Sequence, residues 1–507
     1  MRVTLINPNL VVQQNDPFTT GVVYMPITIA YLAAVLREKE IAVQVIDAFG
    51  EKPEQVCFEG KFCIFGRSPA EIVANIAQDS TIVFVYAINL TNHLSISTII
   101  KAIKKNRPSL NVVVLENTQA VTAYALRLVA DEFYKIGADY ILTGEPEERA
   151  VRLVNALGKE GALEALRAID GVGGKDFFNP PENVISDLDR LPFPAWDLFP
   201  LGNYWKIRFA HGPQTSRKYL PLLTSRGCPY SCRFCVVPAT NGQRWRARSG
   251  KNVVDEVAYA SERFGVKEFH IEDLDPTIRD ERIREICREI IERNLGITWK
   301  IAAGTKIETI RDEETIDLMA QAGCRYISLS PETGSPRLLK LMRKPFDLEH
   351  AIRLVKRMNE TGIRSQACFV LGFPTETEED LKMTSALVKR LTCCGVDEIA
   401  LFMITPVPGS DIYKDFQGYK SFSELNFTPT WRPDYKALNR FRLELYAKFL
   451  FWKFQYYPLK VLWQISNFLR CHFETKMEMV PYRAMIYRIW SRKSRWKEIF
   501  SKQHATS

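Results

Sequence analysis

The sequence predicts an α/β protein in three parts: a doubly wound, Rossmann-like sheet, a partial (β/α)6, TIM-like barrel, and a helical C-terminal extension. Three observations predict it. Short apolar, β-branched runs alternate with amphipathic ones over residues 1–150, the pattern of parallel strands covered by helices. The same alternation returns six times between Tyr219 and Gly409. Near residue 420 the composition changes to basic and aromatic, with breakers at Gly418 and over 426–433. The chain therefore divides into 1–150, a bridge at 151–215, the barrel at 216–415 and the extension at 416–507.

In the first part, Arg2–Asn7 reads as a strand, 26–39 as a helix with Pro26 in its first turn, and 42–47 as a second strand. A buried strand at 81–87, a helix at 97–105, a strand at 111–115, a helix at 121–133 and a strand at 140–143 complete it. Doubly wound sheets bind ligands outside the carboxyl ends of their strands. That rule singles out the loops holding Pro8 and Asn9, Asn89 and Thr91, Glu116 and Asn117, and Gly144 and Glu145. The bridge has a proline-rich centre at 188–196 and no chemical signature.

Barrel strands are expected at 219–224, 268–272, 298–302, 326–329, 365–371 and 398–404. Helical stretches lie between them, among them 253–264, 281–294, 314–322, 348–360 and 378–391. In such a barrel the chemistry sits at the carboxyl ends of the strands.

Composition narrows the class. With 46% hydrophobic and 25% charged residues, the chain reads as a soluble globular protein. Eleven cysteines are too few for a disulfide-stapled secreted scaffold, and Arg2 is followed by only four residues before Asn7 and Pro8, so no leader is read and a reducing, cytoplasmic setting is expected. The uncharged stretch 17–36 is broken by Gly21, Pro26 and three threonines, so it reads as a loop running into a core helix.

The charge of +9 is concentrated at one end: residues 431–507 carry 16 Lys or Arg against 5 Asp or Glu, and 18 of the 57 aromatic residues. Stretches such as 449–457 and 486–490, followed by Arg492, Lys493, Arg495 and Lys497, interleave cations with rings. An interfacial helix meets anionic lipid in this way, which suggests peripheral contact at the inner membrane face, while Lys448 and Lys453 argue against a span. The alternative is a helical cap on the barrel with solvated cations. No stacking or groove-reading motif accompanies the charge, so nucleic acid is not expected as a partner.

The sharpest signal is Cys228, Cys232 and Cys235, a C-x3-C-x2-C triplet in the loop after the first barrel strand. Thiolates are soft donors that favour zinc or iron–sulfur clusters. Structural zinc wants four ligands and no second cysteine pair follows; a redox dithiol needs two cysteines. A zinc knuckle and surface thiols remain alternatives. Cys57 and Cys63 lie in an expected loop, and the other cysteines show no ligand spacing.

The triplet, with Phe234 directly before its last cysteine, resembles the signature of the radical S-adenosylmethionine (SAM) superfamily. The resemblance implies a [4Fe-4S] cluster on Cys228, Cys232 and Cys235, with SAM on its open iron and cleaved to a 5′-deoxyadenosyl radical. It places Phe234 near the adenine, Asp273 near the SAM amino group, Ser330 and Glu332 at the ribose, and Leu371 and Gly372 beside the adenine. Pro331 departs from the glycine more usual before the acid.

A doubly wound domain ahead of such a barrel resembles the cobalamin-binding branch, a likeness covering about 1–415 and carried by stretches at 25–33, 143–147, 191–196, 246–249 and 406–410. Cobalamin would then lie between the sheet edge and the barrel mouth. No Asp-x-His-x-x-Gly element supplies a lower ligand, Glu116 and Asn117 stand where a glycine-rich turn is common, and His93 is the histidine nearest those loops. The resemblance implies C-methylation of an unactivated carbon of a natural-product or lipid-like small molecule, with an electron donor such as flavodoxin or ferredoxin. The alternatives are cyclisation or rearrangement without methyl gain, and a cofactor-binding protein without turnover.

Overall fold

The computed structural model describes residues 2–504, with side chains through Trp496. Five parallel strands form the N-terminal sheet, in the spatial order Ala42–Asp47, Arg2–Asn7, Ser80–Ala87, Asn111–Glu116 and Tyr140–Leu142. Ile82 to Val85 and Val112 to Val114 are wholly buried, as expected of a parallel sheet covered on both faces. The strand order reverses between Arg2–Asn7 and Ser80–Ala87, which makes that edge the topological switch point. Helix Ile27–Glu38 begins after Pro26 and buries ten of its twelve residues, because it is held between this sheet and the barrel.

Three expectations need correction. Residues 151–215 are more than a bridge: Val172–Gly174 and Phe177–Phe178 add two antiparallel strands to the N-terminal sheet. The expected helix at 121–133 is reduced to a 3-10 turn, Leu126–Leu128, and a short helix, Ala130–Lys135. Its first amides are committed elsewhere: Ala125 N–H donates to the Pro408 carbonyl (3.2 Å) and Leu126 N–H to the Glu116 carboxylate (2.8 Å). Cys57 and Cys63 lie on paired strands, Val56–Glu59 and Phe62–Phe65, which with Leu10–Gln13 make a small antiparallel sheet.

The barrel strands follow sequence order, all parallel: Tyr219–Leu222, Glu268–Ile271, Thr298–Thr305, Cys324–Glu332, Arg364–Leu371 and Glu398–Met403. The two edge strands do not pair among the described residues, so the barrel is open. Buried ion pairs tie it to the N-terminal unit. Arg226 meets Glu147 at 2.6 Å, Arg246 meets Glu145 at 2.6 Å, and Arg248 donates to the Tyr31 hydroxyl at 3.0 Å.

The extension is helical: Tyr435–Tyr456, Pro458–Arg470 and Lys476–His504. The last helix runs back over the N-terminal unit, where Tyr487 donates to the Gly21 carbonyl (2.7 Å) and Arg483 to that of Phe18 (2.7 Å). Phe449, Tyr487 and Trp490 are buried, while the Lys497 side chain lies outside the described residues. Among the described residues, no helix is long and apolar enough to cross a membrane.

Candidate active site

Local structure brings the three cysteines to one place. Ser225–Arg226 pairs with Arg246–Ala247, and Gly227 then turns the chain at φ +81°, where a Cβ would lie 1.8 Å from the Arg244 carbonyl oxygen. Only glycine fits that approach. Cys228, Cys232 and Cys235 follow as free, half-buried thiols. All three line a cavity of about 1040 Å³ between the two α/β units and the extension. Burial pushes the Cys228 thiol up to about 11 and raises Cys232 and Cys235 too, and the charges of neighbouring thiols add to the effect on Cys228 and Cys235. Ionising all three therefore requires a compensating cation. Among the described residues no group of three or more His, Cys, Asp or Glu is arranged to hold a single metal ion.

Of the other expected contacts, Phe234, Ser330, Glu332, Asn89, Asn117 and Asp273 also line the cavity. Gly304 makes room for Ser330, whose hydroxyl would lie 2.1 Å from a Cβ there. Glu332 sits in left-handed backbone, φ +63°, and its Oε1 accepts from Lys344 Nζ at 2.5 Å. Asp273 is wholly buried. Its carboxylate accepts from Thr224 N–H (2.7 Å) and from the hydroxyls of Thr224 (2.6 Å) and Ser225 (2.5 Å). It clamps the start of the cysteine loop instead of standing free for a ligand.

Several residues singled out in the sequence do not line the cavity. Leu371 is buried in its strand, and Gly372 is covered by the extension: Arg432 donates to its carbonyl (2.9 Å) and Leu438 lies 2.6 Å from where a Cβ would be. Beside them, Val370 lines the cavity. At the switch point Pro8 is buried and Asn9 is consumed by the fold, bonding Ser95 and the Arg67 carbonyl and accepting from Asn92. Thr91 donates to Asn89. Glu116 accepts from Leu126 N–H and from Gly144 N–H (2.7 Å), and burial raises it to about 7. Glu145 pairs with Arg246. His93, lowered to about 4 by burial, bonds Tyr124 (2.9 Å) and Ser97 (3.2 Å) away from the cavity.

The structure adds residues that no spacing announced. Lys344 is buried, and although burial opposes its charge, Glu332 and Cys232 raise its pKa above the usual lysine value. His211, from the bridge, meets Glu272 at 2.5 Å on the cavity wall. Lys476, from the extension, reaches the cavity and donates to the Ala302 carbonyl at 3.1 Å. Much of the remaining wall is apolar, including Val370, Leu401, Phe402 and Met403. A few convergent polar groups in an apolar cavity are what orient a small organic ligand.

Residues 222–388 match the model of the radical SAM superfamily. An uncharacterized methyltransferase of Pyrococcus horikoshii is 29% identical over 415 residues, covering 82% of each chain. The cytidylyl-2-hydroxyethylphosphonate methyltransferase of Streptomyces wedmorensis is 27% identical, covering 85% of each. An anaerobic magnesium-protoporphyrin IX monomethyl ester cyclase of Rubrivivax gelatinosus is 31% identical over 58% of this chain and 53% of its own. Among solved structures, the radical SAM methyltransferase TsrM of Kitasatospora setae shares the fold, with TM-score 0.61, 20% identity and coverage of 82% and 75%.

Proposed function

We propose that this chain, whose residues 222–388 match the radical SAM superfamily model, is a radical SAM enzyme that holds a [4Fe-4S] cluster on Cys228, Cys232 and Cys235, binds SAM and cobalamin beside it, and methylates an unactivated carbon of a small, largely apolar molecule. One observation carries the reading: a single cavity is lined by all three thiols, by Asn89 and Asn117 at the sheet edge and by apolar barrel strands. Three soft sulfur donors on one cavity wall suit a cluster. When bound, the cluster and cobalamin supply an electron for SAM cleavage and a methyl group for transfer.

The chain's own residues bind and orient. Lys344 fixes Glu332 by its Oε1 and leaves Oε2 to accept from ribose hydroxyls, Ser330 stands beside it, and Phe234 offers a ring to the adenine. Asn89 and Asn117 present the sheet edge to the corrin. His93 is tied to Tyr124, so it supplies no lower ligand. The apolar strands hold the substrate's C–H bond in place and exclude water. A small one-electron donor protein of the flavodoxin or ferredoxin kind is the matching reductant.

The test is anaerobic turnover with SAM, hydroxocobalamin and a chemical reductant. Release of 5′-deoxyadenosine, and a gain of one methylene unit in candidate substrates, support the reading. The cyclase relative favours a second reading, in which 5′-deoxyadenosine forms and the product gains no methylene. A protein that releases no 5′-deoxyadenosine is a cofactor binder without turnover.

A further inference from the structure

One helix of the extension turns polar side chains inward and apolar ones outward. In Pro458–Arg470 the buried side chain is Asn467, which donates to Glu478 (3.3 Å). Lys460 and Gln464 also turn inward, Lys460 to Asp397 (2.9 Å) and Gln464 to Thr475 (3.0 Å). Outward stand Leu459 and Leu469, 77% and 75% exposed, with Leu462, Trp463 and Ile465 more than half exposed. The preceding helix, Tyr435–Tyr456, buries Leu438, Leu445 and Phe449 on one side and leaves a second apolar face uncovered. Lys453 is buried on the Asp397 carbonyl, while Leu443, Leu450, Phe451 and Phe454 are exposed, at a spacing that puts them on one face. The two helices pack against each other.

An exposed apolar face of this extent marks a binding surface, and its charge names the partner. Over residues 435–470, all described, the exposed ionised groups are Lys436, Arg440, Lys448 and Arg470 against one acid, Glu444. Apolar residues with Trp463 and Tyr456 among them, fringed by cations, fit the boundary between acyl chains and anionic headgroups.

We propose that helices Tyr435–Tyr456 and Pro458–Arg470 seat the protein on an anionic lipid bilayer, lying in the interface without crossing it. Leu443 belongs to this face and also lines the cavity, so the cavity opens where the lipid would lie. The proposal goes beyond the catalytic reading and stands or falls apart from it.

Flotation of the full chain with vesicles tests it. Wild type is expected to float with vesicles containing phosphatidylglycerol, less so at high salt and with phosphatidylcholine alone. The variant Leu462→Glu/Trp463→Glu/Leu469→Glu changes exposed side chains and is expected to keep its circular dichroism while partitioning at least about tenfold less. Wild type left unbound at low salt, or a variant that floats equally well, overturns the proposal. So does a stable wild-type dimer that the variant dissolves without any lipid binding, since a second copy then covers the face.

Discussion

Replacing Lys344 by methionine removes the cation from a pair whose side chains are 9% and 7% exposed. Glu332 stays behind, in left-handed backbone at the cavity wall. Breaking a buried ion pair from one side costs about 3–5 kcal/mol, because the surviving charge keeps its desolvation penalty and loses its partner. Adding Glu332→Gln removes the orphaned charge, so the double variant recovers about 2–3 kcal/mol of that loss. A chain of several domains need not unfold in one step, and the loss is therefore read locally. Amides of strand Cys324–Glu332 are followed by hydrogen exchange, where Lys344→Met should speed opening by about two to three and a half orders of magnitude. Exchange within a factor of two of wild type, or a double variant as damaged as the sum of the singles, refutes the reasoning.

Gly227→Ala combines a positive φ with a 1.8 Å contact on the Arg244 carbonyl, so the cysteine loop must shift. Reconstituted iron should fall while circular dichroism is unchanged, and wild-type iron content contradicts this. Arg226→Met leaves Glu147, wholly buried, without its cation. A loss of about 3–5 kcal/mol should appear as faster proteolysis between the two α/β units, and unchanged proteolysis argues against the pair as a tie. His93 has its pKa lowered to about 4, by burial first and then by Lys101. On acidification the unfolded chain takes the proton first, near pH 6.5, so the stability this residue contributes is present above that pH and is lost as pH falls toward 4. The loss reaches about 3 kcal/mol. His93→Gln should flatten that part of the pH profile of amide exchange in helix His93–Asn106, and a parallel profile contradicts the assignment.

Both α/β units were legible because parallel strands buried on both faces leave unbroken apolar runs at a regular beat. The cysteine triplet was legible because its donors come from one short loop. What spacing could not reveal comes from distant contacts. Thr143 to Glu147 and Arg246 to Ser249 look like functional motifs, yet Glu145, Glu147, Arg246 and Arg248 join one unit to the other. Asp273 and Glu116 stand at strand ends where ligands bind, but Asp273 is consumed by one backbone amide and two hydroxyls and Glu116 by two backbone amides. Lys344 and His211 reach the cavity only through the fold. The end of the 121–133 helix pattern is equally tertiary, set by Pro408 and Glu116. In the extension the sequence announced rings and cations, and only packing shows which of them face outward.

The account rests on three cysteines holding an iron–sulfur cluster. Anaerobic reconstitution with iron and sulfide, followed by metal counting on wild type and on the Cys228→Ala/Cys232→Ala/Cys235→Ala variant, tests that directly. The account predicts about four irons per chain in wild type, lost in the variant, with bound corrinoid retained. Equal iron in both proteins, or one zinc per wild-type chain in place of iron, contradicts it.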